Sequence, residues 1–141
     1  PRDGDVNSNT DYASQSHTHK VSNAGPGLFR IIALVNAGVG NPDLMADRPS
    51  GFSGQPQHEN AWLRSYRVEL APGEVTSVQI HSLSSFVVQV ADGLIHVERS
   101  DGITAELDAR ADWVWHDPNE AYVIRNVGQV ASAVVVNEGR H

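Results

Sequence analysis

The residues best suited to chemistry fall in one stretch, Gly73 to Gly93, GEVTSVQIHSLSSFVVQVADG. Val75, Ser77, Gln79 and His81 alternate with Thr76, Val78 and Ile80. An extended strand here places Gln79 and His81 on the same face. A carboxamide beside an imidazole can orient a small polar ligand by hydrogen bonds, and the imidazole can also carry a proton. His17 and His19 are two residues apart and face one way on a strand, or else are two exposed polar side chains. Trp113 and Trp115 share a strand face that suits a ligand pocket or rim packing, and His116 beside them suits acid/base work or a structural place. His58 and His96 come with no matching carboxylate pattern. Ser82, Ser84 and Ser85 lie near His81 without a nucleophile-elbow sequence, so they read as a turn.

The elements that must position these groups are strands. Trp62 to Leu70 alternates as one long strand, and Val75 to His81 and Phe86 to Val90 follow it. Asp92-Gly93 reads as a hairpin turn into Leu94 to Glu98, and Ser100-Asp101-Gly102 as a second turn into Ile103 to Leu107. Asp112 to His116, Ala121 to Asn126 and Val130 to Asn137 complete the set. Short strands at regular spacing, broken by Gly, Asp and Pro, predict an all-β antiparallel sandwich or barrel.

Three segments are expected. Residues 1–36 begin polar and end in the apolar run Leu28 to Val35, which reads as a buried strand. Residues 37–57 hold four glycines and three prolines and read as a linker or surface strap. Residues 58–141 carry the dense β pattern. The chain of 141 residues is long enough for one small domain with a real core. A formal net charge of -7 argues against a nucleic-acid groove or an anionic membrane as the main partner. No apolar run reaches the length of a membrane-spanning helix. With no cysteine there is neither a disulfide nor thiolate chemistry, and the compartment stays open.

Gly73, His81 and Gly93 resemble the first motif of the cupin family, a glycine-bounded stretch with His-x-His and a glutamate. In this sequence Gln79 stands at the first histidine position and Phe86 at the glutamate position. The second motif of that family resembles Asp117 to Asn126, with Tyr122 at its histidine and Asn126 at its asparagine. The resemblance covers about residues 58–141 and implies the cupin jelly roll. It also implies a four-ligand metal site, but Gln is a weak donor, Phe cannot ligate and Tyr is a poor ligand for a divalent ion. No metal or other cofactor is therefore expected. What remains is a pocket of Gln79, His81 and Tyr122, with Trp113 and Trp115 as further lining.

The two ends of the chain echo each other. His19-x-x-x-Asn23-x-Gly25 precedes Leu28 to Val35, as Tyr122-x-x-x-Asn126-x-Gly128 precedes Val130 to Val136. Upstream, Arg2-Asp3-Gly4-Asp5 resembles Arg110-Ala111-Asp112. Residues 1–36 are thus expected to be closing strands of a preceding cupin-like barrel, as in a fragment of a two-cupin protein, or an added edge strand.

The leading expectation is a non-catalytic cupin module for assembly, as a homo-oligomer or in a larger complex, or for binding a small polar ligand. The alternative is a cupin enzyme of dioxygenase or isomerase type. It would use His81 with Tyr122, or a metal in a first barrel ending at His19.

Overall fold

A computed structural model describes residues 2–140 apart from His17 and His19. The expectations placed on those two histidines lie outside the described residues. Two antiparallel sheets face each other. One contains β1 (His58–Glu59), β2 (Leu63–Leu70), β9 (Ser132–Gly139), β4 (Ser85–Gln89) and β7 (Trp113–His116), in that spatial order. The other contains β3 (Gln79–Ile80), β8 (Ala121–Asn126), β5 (Ile95–Arg99) and β6 (Thr104–Leu107). Apart from a single 3-10 turn at Asp11–Ala13, the described elements are all strands. No helix among the described residues is long and apolar enough to cross a membrane.

Alternation along the strands builds the core. β8 buries Tyr122, Ile124 and Asn126 and leaves the residues between them part-exposed. These meet Val87, Ile95, Val97, Val134 and Val136, all nearly or wholly removed from solvent. The long β9 lies between β2 and β4, so its backbone is paired on both sides.

Several expectations change. The strand expected from Val75 to His81 shrinks to Gln79–Ile80, with Val75 held only by an isolated bridge to Arg125. Thr76 explains the gap: its hydroxyl accepts from the Ile124 N–H, replacing a regular ladder bond with a side-chain one. The Ser-Asp-Gly turn joins β5 and β6 as a hairpin. The Asp92-Gly93 turn does not join β4 to β5 as a hairpin, because the two strands lie in different sheets. The Gln89 side chain donates to the Ala91 and Gly93 carbonyls and fixes this corner. Gly93 has φ 135, and a Cβ there would stand 2.8 Å from Ser132 Cβ.

The run 28–35 carries no strand in this chain, and Ile31 and Ile32 are exposed while Leu34 is half-buried. The expected buried β strand is not formed against this barrel. β9 already occupies the central place in its sheet, leaving no slot for a second apolar strand. The glycine- and proline-rich segment after it is a fixed strap. Arg64 donates to the carbonyls of Leu44, Ala46 and Asp47, and Arg140 to those of Asn41 and Asp43. Both arginines are buried, so these carbonyls receive charged donors in place of water.

Candidate functional site

The interior between the sheets is polar at one end. β3 turns Gln79 inward and Ile80 outward, and His81 follows inward. β8 places Tyr122 opposite Gln79 in register. β4 contributes Ser85, β7 contributes His116 and β9 contributes Glu138, all buried.

A chain of hydrogen bonds links them. His81 Nδ1 lies 2.6 Å from Glu138 Oε2, and His81 Nε2 lies 3.0 Å from the Tyr122 hydroxyl. A carboxylate only accepts, so Nδ1–H donates to Glu138, and in the neutral imidazole Nε2 then accepts from the phenol. The Ser85 hydroxyl is 3.2 Å from the same phenol oxygen and is then the donor to it. The other oxygen of Glu138 accepts from Arg64 Nη1 at 2.7 Å, and Arg64 Nε bonds Glu59. Burial works against the Arg64 charge, but the Glu59 and Glu138 carboxylates outweigh it and hold its pKa above the ordinary value. Burial pushes the Tyr122 phenol well above its ordinary range, while the bond to Ser85 works weakly the other way. It is therefore a persistent O–H donor.

His116 stacks flat on Tyr122, with ring centroids 3.9 Å apart and planes 12° from parallel. Its Nδ1 is 3.4 Å from Glu120 Oε2, and neither ring nitrogen makes a well-formed hydrogen bond among the described residues. Burial lowers its pKa, and the Glu120 carboxylate only partly offsets this.

The strap closes one end of this cluster. Phe52 stacks on Tyr66 at 4.0 Å and presents its ring edge-on to His81 at 5.7 Å. Beside it lies an open groove of about 360 Å³ lined by Phe52, Tyr66, Arg67, Glu74, Thr76 and Gln79. Gln79 Oε1 is buried and has no hydrogen-bond partner among the described residues.

Gln79, His81 and Tyr122 thus converge. Phe86 does not join them: it faces away from the cluster and packs under Trp113 and Trp115, at centroid distances of 5.1 and 6.2 Å. The β4 residue that faces Tyr122 is Ser85, one position earlier, and a shift of one residue on a strand reverses the face. For the same reason Trp113 and Trp115 share the outer, half-exposed face of β7, with the sheet between them and His81. Their place as pocket lining is corrected. Of the remaining histidines, His58 bonds Ser8 and His96 bonds Glu106.

Glu138, Arg64 and the inward placement of His116 were not expected from the sequence. The usable signal was the phase of β9: Val134, Val136 and Glu138 alternate, so the acid must share the apolar inner face.

The donor set does not fit a divalent metal ion. Among the described residues no three His, Cys, Asp or Glu side chains gather closely enough to hold one. His81, the one strong ligand of the expected four, already uses both ring nitrogens.

No family model matches the sequence, and no curated protein matches it. Solved structures do. A cupin domain from Bordetella pertussis aligns with TM-score 0.53 and 20% identity, over 62% of this chain and 91% of that one. The chain has the cupin fold. A cupin superfamily protein from Desulfitobacterium hafniense aligns with TM-score 0.52 and 11% identity, over 62% of this chain and 75% of that one. The Cnp3 cupin domain of Schizosaccharomyces pombe aligns with TM-score 0.51 and 17% identity, over 60% of this chain and 57% of that one. At these identities the likeness is one of fold, and cupin folds host unrelated activities.

Proposed function

We propose that this cupin domain is a non-catalytic binding module with a degenerate metal site, taking a small polar ligand at the barrel mouth. One observation carries the reading: Gln79 lines the groove, and its buried Oε1 lacks a donor. A buried acceptor without a partner is costly, and a ligand N–H or O–H would satisfy it. A groove of about 360 Å³ falls in the range of small-molecule sites. Arg67, Glu69 and Glu74 around it supply both signs of charge, which suits a neutral polar or zwitterionic molecule. An assembly role, as a homo-oligomer or within a larger complex, is compatible with the same module.

The test is native mass spectrometry with metal analysis on untagged protein from its natural source, followed by the Gln79→Leu variant. Expected are metal far below one ion per chain and a retained polar small molecule that Gln79→Leu loses. Near-stoichiometric metal, or a ligand held equally by Gln79→Leu, would overturn the reading.

A second reading rests on a different observation, the 3.0 Å contact between Tyr122 and His81 with Glu138 behind it. That chain is suited to acid/base work. A bound molecule that wild type alters chemically and Tyr122→Phe leaves intact would favour the enzyme.

A further inference from the structure

The two ends of the chain repeat each other in hydrogen bonding as well as in sequence. Asp5 donates its N–H to the Arg2 carbonyl at 3.0 Å and takes the Arg2 N–H on its side chain at 2.7 Å. Asp112 does the same with Ala109, at 3.0 and 2.9 Å. The residue before each aspartate is left-handed, Gly4 at φ 85 and Ala111 at φ 73. Alanine rarely adopts that conformation, so the match is informative.

Asn23 and Asn126 form a second matched pair. Asn23 Oδ1 accepts from Gly25 N at 3.0 Å, and its Nδ2 donates to the Gly27 carbonyl at 2.6 Å. Asn126 Oδ1 accepts from Gly128 N at 2.9 Å, and its Nδ2 donates to the Val130 carbonyl at 2.8 Å. In the barrel these two turns bracket β7 and β8 and deliver the chain into β9. Near the start, the same two turns deliver it into 28–35, where Leu28, Phe29, Ile31 and Ile32 are exposed.

We propose that residues 2–36 are the closing segment of a second cupin barrel, and that 28–35 inserts as a strand into an open sheet supplied from outside residues 1–141. The partner is a polypeptide bearing counterparts of β2 and β4 with the place between them vacant. Residues 58–139 cannot be that partner, because β9 fills the place between β2 and β4 along both edges. A second copy of this chain has the same place filled. Exposed apolar side chains on a segment that follows the same two turns as β9 point to a sheet partner.

The experiment is amide hydrogen exchange, comparing protein from the natural source with recombinant residues 1–141. Residues 29–35 should exchange at least about a hundredfold more slowly in the natural protein, approaching the protection of β9. A photo-cross-linker on Lys20, the only lysine, should join a β-rich segment outside residues 1–141. Ile31→Asp should remove the protection of 29–35 and leave β9 protected. Rapid exchange of 29–35 in both preparations, a Lys20 link to another copy of residues 1–141, or loss of β9 protection in Ile31→Asp would each overturn the proposal.

Discussion

Replacing Arg64 with leucine should be among the most damaging single changes in the barrel. The guanidinium is fully buried and bonds Glu59, Glu138 and the carbonyls of Leu44, Ala46 and Asp47. After the change Glu59 keeps Arg48 at 3.2 Å, and the strap carbonyls reach water if the strap lifts. Glu138 fares worst, because it stays buried with His81 as its remaining side-chain partner. Stranding a buried charge in this way costs about 3–5 kcal/mol. With a urea dependence of about 2 kcal/mol per molar for a domain of this size, the midpoint should fall by roughly 1.5–2.5 M. Urea unfolding followed by far-ultraviolet circular dichroism measures this, and thermolysin cleavage near Leu44 reports whether the strap has come free. Adding Glu138→Gln to Arg64→Leu removes the stranded charge and should return about 1–2 kcal/mol. A loss under about 1 kcal/mol for Arg64→Leu, with the strap still resistant, would refute the claim that this network fastens the strap.

Other outcomes follow from the same geometry. His116 has a lowered pKa from burial, so the unfolded chain takes up its proton first as acid is added. Its contribution is intact above about pH 6.5 and is lost as pH falls through the folded value, and His116→Phe, which keeps the ring on Tyr122, should flatten that part of a stability–pH curve. Tyr122 has a raised pKa, so stability should fall as pH rises above about 10, and Tyr122→Phe should lessen the fall. At neutral pH the same variant leaves His81 Nε2 without its donor and should cost about 1–3 kcal/mol in urea unfolding. Phe52→Ala removes the ring stacked on Tyr66; it should cost about 1–3 kcal/mol and speed hydrogen exchange at the amides of 79–81.

Much of the barrel was legible from short apolar runs and turn residues, with clear alternation in β8. Ala121 to Asn126 matches the observed β8, and the Asp101-Gly102 turn joins the pair it predicts. Gln79 and His81 both point inward even though the strand there is only Gln79–Ile80, since alternation needs no ladder. Where structure and sequence pattern differ, the pattern leaves strand phase or sheet assignment undetermined. The serine-rich break hides where β4 begins, so the motif spacing points to Phe86 whereas Ser85 is the residue that faces Tyr122. Asp92-Gly93 signals a turn without saying whether the chain returns along the same sheet or crosses to the other. Arg64 shares a strand face with Tyr66, Val68 and Leu70, but no local pattern names its partners, which come from the distant strap and from Glu138. The strap's path depends on contacts to Arg140 more than ninety positions away, beyond the reach of local pattern.

That distance bears on the order of assembly. The strap leaves the ribosome long before Glu138 and Arg140, yet both residues help hold it, Arg140 directly and Glu138 through Arg64. Until β9 has zipped between β2 and β4, Phe52 has no closed interior to cap. Closure of the barrel mouth should therefore be the last event of folding, and agents that stall β9 should leave a collapsed chain with an open, wet interior.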